Sequence, residues 1–287
     1  MLTSHADTQE RFAFGENWAA FLRRLDDRRI AEAEKSLQAL LGLQSLDGLS
    51  FLDIGSGSGL FSLAARRLGA RVHSFDFDPS SVNCALTLRD RFFPGDDKWT
   101  IQQGSVLDAT FIGSLGLFDV VYSWGVLHHT GAMTQAIENA ASRVKPGGFF
   151  AIALYHKTRL CNLWAVEKKW YAGASETGQA FARLLFDGMM RLDYYFSGKS
   201  YRDHVDTYYS VRGMDYQRDL HDWLGGYPYE SITPADAAAL MRRLGLEHLH
   251  SNVQQKYSLG IFGSGCDEFV YRRPAAAPAP MNSIGAG

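Results

Sequence analysis

The sequence predicts an α/β protein built on a parallel sheet with helices on both of its faces. Short apolar segments alternate with helix-like segments over residues 51–155, and this alternation is typical of consecutive βαβ units. Segments such as FFAIALYH contain few polar residues, as expected for strands that are buried on both faces. A glycine-rich turn, GSGSG, joins the first apolar segment to the helix that follows it.

The elements of this sheet can be placed in order along the chain. Residues 26–41 predict a helix, because their apolar side chains recur at helical spacing and two aspartates lie at the amino-terminal end. Strands are predicted at 51–54, 71–78, 99–103, 118–124 and 149–156, with helices at 60–68, after Pro79 and at 133–144.

The alternation stops after residue 156. Residues 156–230 combine helical stretches with a segment rich in tyrosine, arginine and tryptophan, which indicates an insertion folded over the sheet edge. The pattern returns with a helix at 233–246, for which Thr233 is the expected N-cap and Pro234 the first residue, and with two terminal strands. We therefore expect a helical lid at 1–44, a core at 45–155 and 231–273, a cap at 156–230 and a disordered tail at 274–287.

Composition excludes several classes of protein. Hydrophobic residues make up 46% of the 287 residues and charged residues 21%, which argues against a disordered chain. The 29 basic and 31 acidic residues nearly balance, which disfavours a dedicated nucleic-acid binder. Three widely spaced cysteines predict neither a disulfide framework nor a metal site. Because no secretory signal or membrane-spanning segment is recognisable, a cytoplasmic location without membrane attachment is expected.

The turn after the first strand carries the strongest sign of function. Its glycines allow positive φ and let the backbone approach a ligand, and such strand-to-helix turns often bind anionic groups. Leu60 stands where a dinucleotide-binding fingerprint has its last glycine, and no P-loop lysine follows. Asp76 ends the second strand and can accept from both hydroxyls of a ribose, while Asp108 follows the third strand. Asp78 is expected to cap the next helix.

Taken in order, these motifs resemble those of the class I S-adenosylmethionine-dependent methyltransferases, and especially the small-molecule enzymes related to ubiquinone-biosynthesis O-methyltransferases. The resemblance covers about residues 45–155 and the end of the chain. It implies a Rossmann-like, doubly wound seven-stranded sheet of order 3-2-1-4-5-7-6, with strand 7 antiparallel. The motifs that carry it are Asp53–Gly59, Asp76, Gly104–Asp108, Phe118–His129 and Val144–Gly148.

The resemblance also implies how S-adenosylmethionine would be bound and S-adenosylhomocysteine left as product. Asp76 would hold the ribose, Phe77 and Asp108 would contact the adenine, and the backbone near Ser123 would support the methionine portion. Asn17 and Trp18 resemble an amino-terminal cover. The full implied cofactor set is Asn17, Trp18, Asp53, Gly55, Ser56, Gly57, Gly59, Asp76, Phe77, Val106, Leu107, Asp108, Ser123 and Trp124.

Methylation of a hydroxyl would benefit from a general base. Candidate catalytic side chains follow the fourth strand or lie in the cap, namely His128, His129, Asp222 and Glu230. Adjacent histidines are a poor metal-chelating pair, and one of them is equally explained by packing. The tyrosines and arginines of the cap suit a partly polar small molecule. Candidate acceptor-binding residues are Tyr155, Tyr209, Arg212, Trp223, Tyr227 and Tyr229.

Several functions remain open at this level. The leading prediction is methyl transfer to a hydroxyl oxygen of a small molecule by a monomer or homodimer. Methylation of nitrogen or sulfur, methylation of tRNA, or binding of the cofactor without catalysis are the alternatives. The sequence does not distinguish cap side chains that bind an acceptor from those that only pack.

Overall fold

The central element is a seven-stranded sheet of order β3-β2-β1-β4-β5-β7-β6. The computed structural model describes residues 25–212, 216–253 and 259–275, without the side chains of 209–212 and 218. Strands β1 to β5 are parallel, and β7 pairs antiparallel with both β5 and β6. The predicted fold class and strand order are therefore confirmed.

The strands lie close to where the sequence places them. They are β1 (Ser50–Ile54), β2 (Arg71–Asp76), β3 (Trp99–Gln103), β4 (Phe118–Trp124), β5 (Val144–Tyr155), β6 (Glu247–Asn252) and β7 (Cys266–Arg272). The described helices are α1 (Asp27–Leu41), α2 (Leu60–Arg67), α3 (Pro79–Phe92), α4 (Ala109–Ser114), α5 (Met133–Ala141), α6 (Cys161–Gly173), α7 (Glu176–Phe196), α8 (Tyr201–Arg212), α9 (Tyr216–Gly225) and α10 (Pro234–Arg243). A 3-10 turn, Leu127–His129, follows β4.

Side-chain caps begin many of these helices where the sequence predicts. The Asp26 carboxylate accepts a hydrogen bond from the Arg29 amide at 3.0 Å. Asp78 caps α3 ahead of Pro79, and Thr233 caps α10 ahead of Pro234, both as expected. Each cap satisfies an amide in the first helical turn, which otherwise has no partner within the helix.

Two apolar layers sandwich the sheet. One contains Leu52, Phe150 and Phe269 together with the inner faces of α5 and α10. The other contains Phe51 and Val120 together with α1 and α2. Covering both faces explains why the central strands read as continuous apolar segments. It also leaves the carboxyl ends of the parallel strands as the edge at which ligands bind in such sheets.

Four helices, α6 to α9, lie within residues 156–230, the segment predicted to form a cap. Tyr171, Tyr216, Leu220 and Leu224 are the buried centre of their own apolar cluster. No helix among the described residues is long and apolar enough to cross a bilayer.

Candidate active site

The turn after β1 is shaped by three glycines in the left-handed region. Gly55, Gly57 and Gly59 have φ values of 72°, 53° and 81°. A Cβ atom at Gly55 would lie 3.0 Å from the Cβ of Val126, and closer still to both Val126 methyl groups. At Gly59 it would lie 3.0 Å from the Ala85 backbone. The turn therefore depends on glycine both for its backbone angles and for its close packing.

Asp76 ties the end of β2 to this turn. Its carboxylate accepts hydrogen bonds from the amides of Gly57 and Asp78, both at 2.9 Å. Burial raises the pKa of Asp76, although these two amide bonds oppose the rise. The Phe77 amide also bonds to this carboxylate, so of its roughly four lone-pair sites about one can still accept a hydrogen bond from a ligand. Phe77, the next residue, is 46% exposed.

Asp53 begins a buried polar chain beneath the turn, which no pattern in the sequence indicates. The indole Nε1 of Trp99 donates to the Ser74 hydroxyl at 2.9 Å. Ser62 uses its one proton to donate to Asp53 at 2.5 Å, so it accepts from the Ser74 hydroxyl at 2.6 Å. Burial raises the pKa of Asp53 to about 7, against the lowering effect of the Ser62 hydrogen bond.

Two further hydroxyls near the turn are buried without a hydrogen-bond partner among the described residues. They belong to Ser56, within the turn, and to Tyr122, which pairs with Asp53 across β1 and β4. Buried polar groups are nearly always bonded to protein, ordered water or ligand. The turn therefore presents polar atoms that a ligand can satisfy.

The segment after β3 contributes a cap and an apolar wall. One Asp108 oxygen accepts hydrogen bonds from the amides of Thr110 and Phe111, at 2.9 and 3.0 Å, and so begins α4. Val106 is buried in the core, and its carbonyl accepts from the Asn139 amide group at 2.7 Å. Leu107 is half-buried against the same layer. The second oxygen of Asp108 makes no capping bond, so Asp108 can cap α4 and contact a ligand at the same time.

The end of β4 lies between the turn and the cap. Ser123 is fully buried, and its hydroxyl donates to the carbonyl of Ile54 at 3.0 Å, which links β4 to β1. Trp124 is 46% exposed and donates from its indole to Glu268 at 2.8 Å. The predicted cofactor residues from β1, β2 and β4 therefore share one edge of the sheet.

An aromatic wall continues from this edge into the cap. The ring centroids of His128 and Tyr155 are 4.0 Å apart, and those of Tyr155 and Tyr229 are 5.2 Å apart. His129 meets Tyr155 edge-on at 5.3 Å. The Tyr229 hydroxyl lies 3.2 Å from both the Cys161 thiol and the Ser264 hydroxyl, which fixes the far end of the wall.

The hydrogen bonds of the two adjacent histidines set their proton positions. The amide of Tyr155 donates to Nδ1 of His128 at 3.3 Å, so the neutral ring carries its proton on Nε2. That Nε2 atom is buried and has no partner among the described residues. Nδ1 of His129 instead donates to the Pro228 carbonyl at 2.7 Å. Burial lowers the pKa of His128 well below its usual range and that of His129 to about 4.

Glu230 and His128 join the cap to the core. A Glu230 oxygen accepts from the amide of Met133, the first residue of α5, at 2.8 Å. The Glu230 amide donates to the carbonyl of His128 at 2.9 Å. Burial raises the pKa of Glu230, against the effect of the Met133 bond. This carboxylate therefore caps the amino-terminal end of α5.

The other candidate residues of the predicted cap, Trp223, Asp222 and Tyr227, have different surroundings. Trp223 packs edge-on against Trp164 at 4.7 Å and leaves no room for a Cβ atom at Gly263. Asp222 lies on α9, close enough to Tyr171 to raise the pKa of that phenol, although burial is the main cause. Tyr227 lies under the Lys169 ammonium, 5.9 Å from the ring centre.

Lys168 is a buried cation that was not among the residues predicted from the sequence. Its side chain is fully buried, and its ammonium donates to the Trp223 carbonyl and lies 4.0 Å from the centre of the Trp223 ring. Burial lowers the pKa of Lys168 to about 7 and raises that of Glu167 to about 7. Both Glu167 oxygens are buried without a partner among the described residues. A helix pattern alone does not reveal such a pair, since both residue types normally face water.

Some predicted residues lie outside the described part of the chain. Asn17 and Trp18 precede the described residues, and the side chains of Tyr209 and Arg212 are not described. Within the described residues, no cluster of three or more histidine, cysteine or acidic side chains is arranged to hold a metal ion.

Comparison with known proteins identifies the family of this chain. A family model described as a methyltransferase domain matches residues 21–250. The ubiquinone biosynthesis O-methyltransferase of Methylobacterium sp. (strain 4-46) is 32% identical over 120 residues, which are 41% of this chain and 45% of that enzyme. The enzyme of the same name from Paramagnetospirillum magneticum is 30% identical over 151 residues, 50% of this chain and 57% of the other. The chain thus spans about half the length of these curated relatives.

Solved structures share the fold at low sequence identity. Magnesium protoporphyrin IX methyltransferase from Synechocystis PCC 6803, with bound S-adenosylhomocysteine, has a TM-score of 0.53 and 14% identity over 91% of this chain and 96% of that one. An O-methyltransferase family protein from Burkholderia thailandensis has a TM-score of 0.54 and 15% identity over 91% of this chain and 60% of that one. The chain therefore belongs to the methyltransferase domain family, and its sequence and fold are those of a class I S-adenosylmethionine-dependent methyltransferase.

Proposed function

We propose that this protein transfers the methyl group of S-adenosylmethionine to a hydroxyl oxygen of a small acceptor. The observation that carries the proposal is the convergence, at one sheet edge, of the glycine turn, the Asp76 carboxylate and the aromatic wall of the cap. The O-methyltransferase names of the relatives support oxygen as the methylated atom.

The residues at the turn fit the cofactor. Asp76 keeps a lone pair that can accept from a ribose hydroxyl while it holds the turn through Gly57. The exposed ring of Phe77 offers an apolar face beside it for the adenine, and the free oxygen of Asp108 suits its amino group. The unpartnered hydroxyl of Ser56 adds a polar contact within the turn. The bound cofactor supplies an electrophilic methyl group on a positively charged sulfur.

The cap would position the acceptor and exclude water. Aligning two reactants in a closed site lowers the barrier by up to ~7–11 kcal/mol in favourable cases. The wall of Tyr155 and Tyr229 presents aromatic faces suited to a planar acceptor. His128 presents a buried Nε2–H, which can donate a hydrogen bond to an acceptor oxygen. With that tautomer and a lowered pKa, His128 positions an oxygen better than it removes a proton.

Titration with S-adenosylhomocysteine tests the cofactor half of the proposal. Replacing Asp76 by Asn should weaken binding in calorimetry by roughly 10- to 100-fold, because a charged acceptor is worth about 1.5–3 kcal/mol per hydrogen bond. The Gly57 and Asp78 amides bond to different oxygens of Asp76, and Asn keeps one of these two bonds, so the variant should still fold. Asp90→Asn is the matched control, because Asp90 is an exposed carboxylate on α3. Equal affinities in the wild type and the Asp76 variant would refute this site.

Methyl release tests the acceptor half. The wild type is incubated with methyl-labelled S-adenosylmethionine and a panel of phenols, amines and thiols, and labelled products are separated. We expect label on phenolic oxygen. Transfer only to nitrogen or sulfur would refute oxygen as the acceptor, while tight cofactor binding without transfer to any of the three classes would favour a non-catalytic module.

A further inference from the structure

Helices α6 and α7 expose an apolar face to solvent. The large apolar residues on it are between 43% and 82% exposed. We call this set the outer face; its members are Leu163, Val166 and Trp170 of α6 and Phe181, Leu184, Leu185, Met189, Leu192, Tyr195 and Phe196 of α7. A surface helix normally turns its apolar stripe toward the core, and a large exposed patch of this kind marks an interaction site.

The outer face points away from the interior of the protein. On the opposite side of α7, Phe186 packs against Trp223 with ring centroids 5.1 Å apart, and Asp187 is buried. The side chain of Gln179 on α7 donates to the carbonyl of the buried Tyr171 on α6 at 3.0 Å, which joins the two helices. Each helix therefore already has one side that packs inward, and the outer face is a second apolar side.

The outer face has the area that a stable dimer needs. All of its residues except Met189 are more than half exposed. Because an aromatic side chain buries about 150–250 Å² in a packed site, the exposed apolar surface is on the order of 1,000 Å². The largest apolar patch of a typical monomer is about 300–600 Å², whereas a stable interface covers about 800 Å² on each partner.

The stripe on α7 is also self-complementary. In a two-fold symmetric interface both partners use the same patch, so a residue that contacts a second residue is matched by the reverse contact. The apolar positions three and seven residues before Gly188 are mirrored by those three and seven residues after Met189. Two antiparallel copies of α7 would therefore place like with like. The resulting pairs are Phe181 with Phe196, Leu185 with Leu192, and Gly188 with Met189.

Gly188 stands at the centre of this stripe for no reason within the chain itself. Glycine weakens the interior of a helix, because it loses more backbone entropy on folding than other residues. A Cβ atom at Gly188 would meet nothing within 4 Å among the described residues, so packing does not require glycine there. The missing side chain leaves a gap on the outer face, and the flexible Met189 side chain of a second copy is suited to fill it.

The charges of α7 favour a protein partner over a lipid surface. Helices that lie on membranes are rich in lysine and arginine on their polar side. The charged residues of α7 are three acids and two bases, namely Glu176, Arg183, Asp187, Arg191 and Asp193. Both bases are engaged, because Arg183 donates to the Tyr171 hydroxyl and Arg191 donates to Asp187, each at 2.7 Å.

We propose that two copies of this chain pair through the outer face, with their α7 helices antiparallel about a two-fold axis between Gly188 and Met189. Leu185 of each copy then packs against Leu192 of the other, and the stripe on α6 extends the contact on both sides. The pairing does not depend on the proposed methyl transfer, because the outer face contains none of the residues assigned to the cofactor.

Molar mass in solution tests the pairing, measured by sedimentation velocity at several protein concentrations. We expect twice the 31.9 kDa of one chain for the wild type and the single-chain mass for Leu185→Glu. Leu117→Glu is the matched control and should stay dimeric, because Leu117 is 46% exposed but precedes β4, outside the outer face. Far-UV circular dichroism checks that the variants fold. A wild type of single-chain mass, or a folded Leu185→Glu variant that is still dimeric, would overturn the proposal.

A mixing experiment tests the antiparallel arrangement. Leu185→Glu and Leu192→Lys should each have the single-chain mass, and an equimolar mixture of the two should regain the dimer mass. In that mixture the introduced carboxylate of one copy faces the introduced ammonium of the other, while the remaining Leu185 and Leu192 still meet. A mixture that stays monomeric would overturn the proposed arrangement.

Other occupants of the outer face give different results. A monomeric wild type that sediments with phosphatidylglycerol vesicles, and a Leu185→Glu variant that does not, would assign the face to lipid. A monomer whose Leu185→Cys thiol resists maleimide, with the modified sites read by mass spectrometry, would assign the face to another segment of the same chain. Either result would overturn pairing between copies.

Discussion

Replacement of Gly55 by Ala probes how tightly the glycine turn is built. Two costs add at this position. A non-glycine residue in the left-handed region costs roughly 1–2 kcal/mol, and forcing a methyl group into a packed site typically costs about 1–3 kcal/mol. The clash involves the Cβ of Val126 as well as its methyl groups, so rotation of that β-branched side chain cannot relieve it. We therefore expect a loss of about 2–5 kcal/mol in the free energy of unfolding.

Gly147→Ala separates the two costs. Gly147 has a φ of 79°, close to the 72° of Gly55, but a Cβ atom there would meet nothing within 4 Å. Only the backbone cost of roughly 1–2 kcal/mol should remain. Urea unfolding of both variants measures the difference, and titration with S-adenosylhomocysteine shows whether Gly55→Ala also loses the ligand. If the two variants are equally stable, packing of Val126 against the turn is not a constraint.

Three further predictions concern single side chains. Glu230→Ala should lower the free energy of unfolding in urea by about 0.5–2 kcal/mol, because it removes the bond to the Met133 amide. The affinity for S-adenosylhomocysteine should stay the same. Unchanged stability would show that this cap is dispensable. Between pH 7 and 10, wild-type stability should rise relative to Lys168→Met, because the unfolded chain keeps its lysine proton over most of that range whereas the folded protein, with its Lys168 pKa lowered to about 7 by burial, has lost it. Parallel stability curves would contradict this. As pH rises from 4 to 7, Asp53→Asn should gain stability relative to wild type by up to about 4 kcal/mol. The reason is that Asp53 ionises near its ordinary pKa of 3.8 in the unfolded chain but only near 7 in the folded protein. A stability difference that stays constant with pH would refute the raised pKa.

The sheet was predictable because its signals are local. The alternation of apolar strands and amphipathic helices, the caps at Asp78 and Thr233, and the glycine turn each lie within a few consecutive residues. The order of the strands was supplied by the resemblance to a known family, since periodicity does not specify neighbours. The structure bears out that order.

The polar groups beneath the site were not predictable in the same way. Trp99, Ser74 and Ser62 come from three different elements and meet at Asp53 only in the folded sheet. Nothing in the local sequence distinguishes such serines from ordinary buried ones. His156 and Asp267 are likewise 111 residues apart and are joined only because β5 and β7 are neighbours.

The candidate residues of the cap illustrate a different difficulty. A density of aromatic and charged residues indicates a polar interior but not which side chains face a ligand. Glu230 and His129 are equally good catalytic candidates in the sequence, yet in the structure one caps α5 and the other bonds to the Pro228 carbonyl. Residue type and position in the sequence therefore do not specify the task of each group.

The two halves of the site consequently differ in how they can change. The cofactor half is encoded by short consecutive motifs whose glycines and aspartates constrain one another, as in the bond from Gly57 to Asp76. The acceptor half that we propose draws on the end of β4, the end of β5, the cap and the start of β7, which are joined by bonds such as that from the Glu230 amide to His128. Substitutions in the cap can therefore reshape the acceptor side without touching the glycine turn. This separation explains why the short motifs indicate the cofactor but leave the acceptor open.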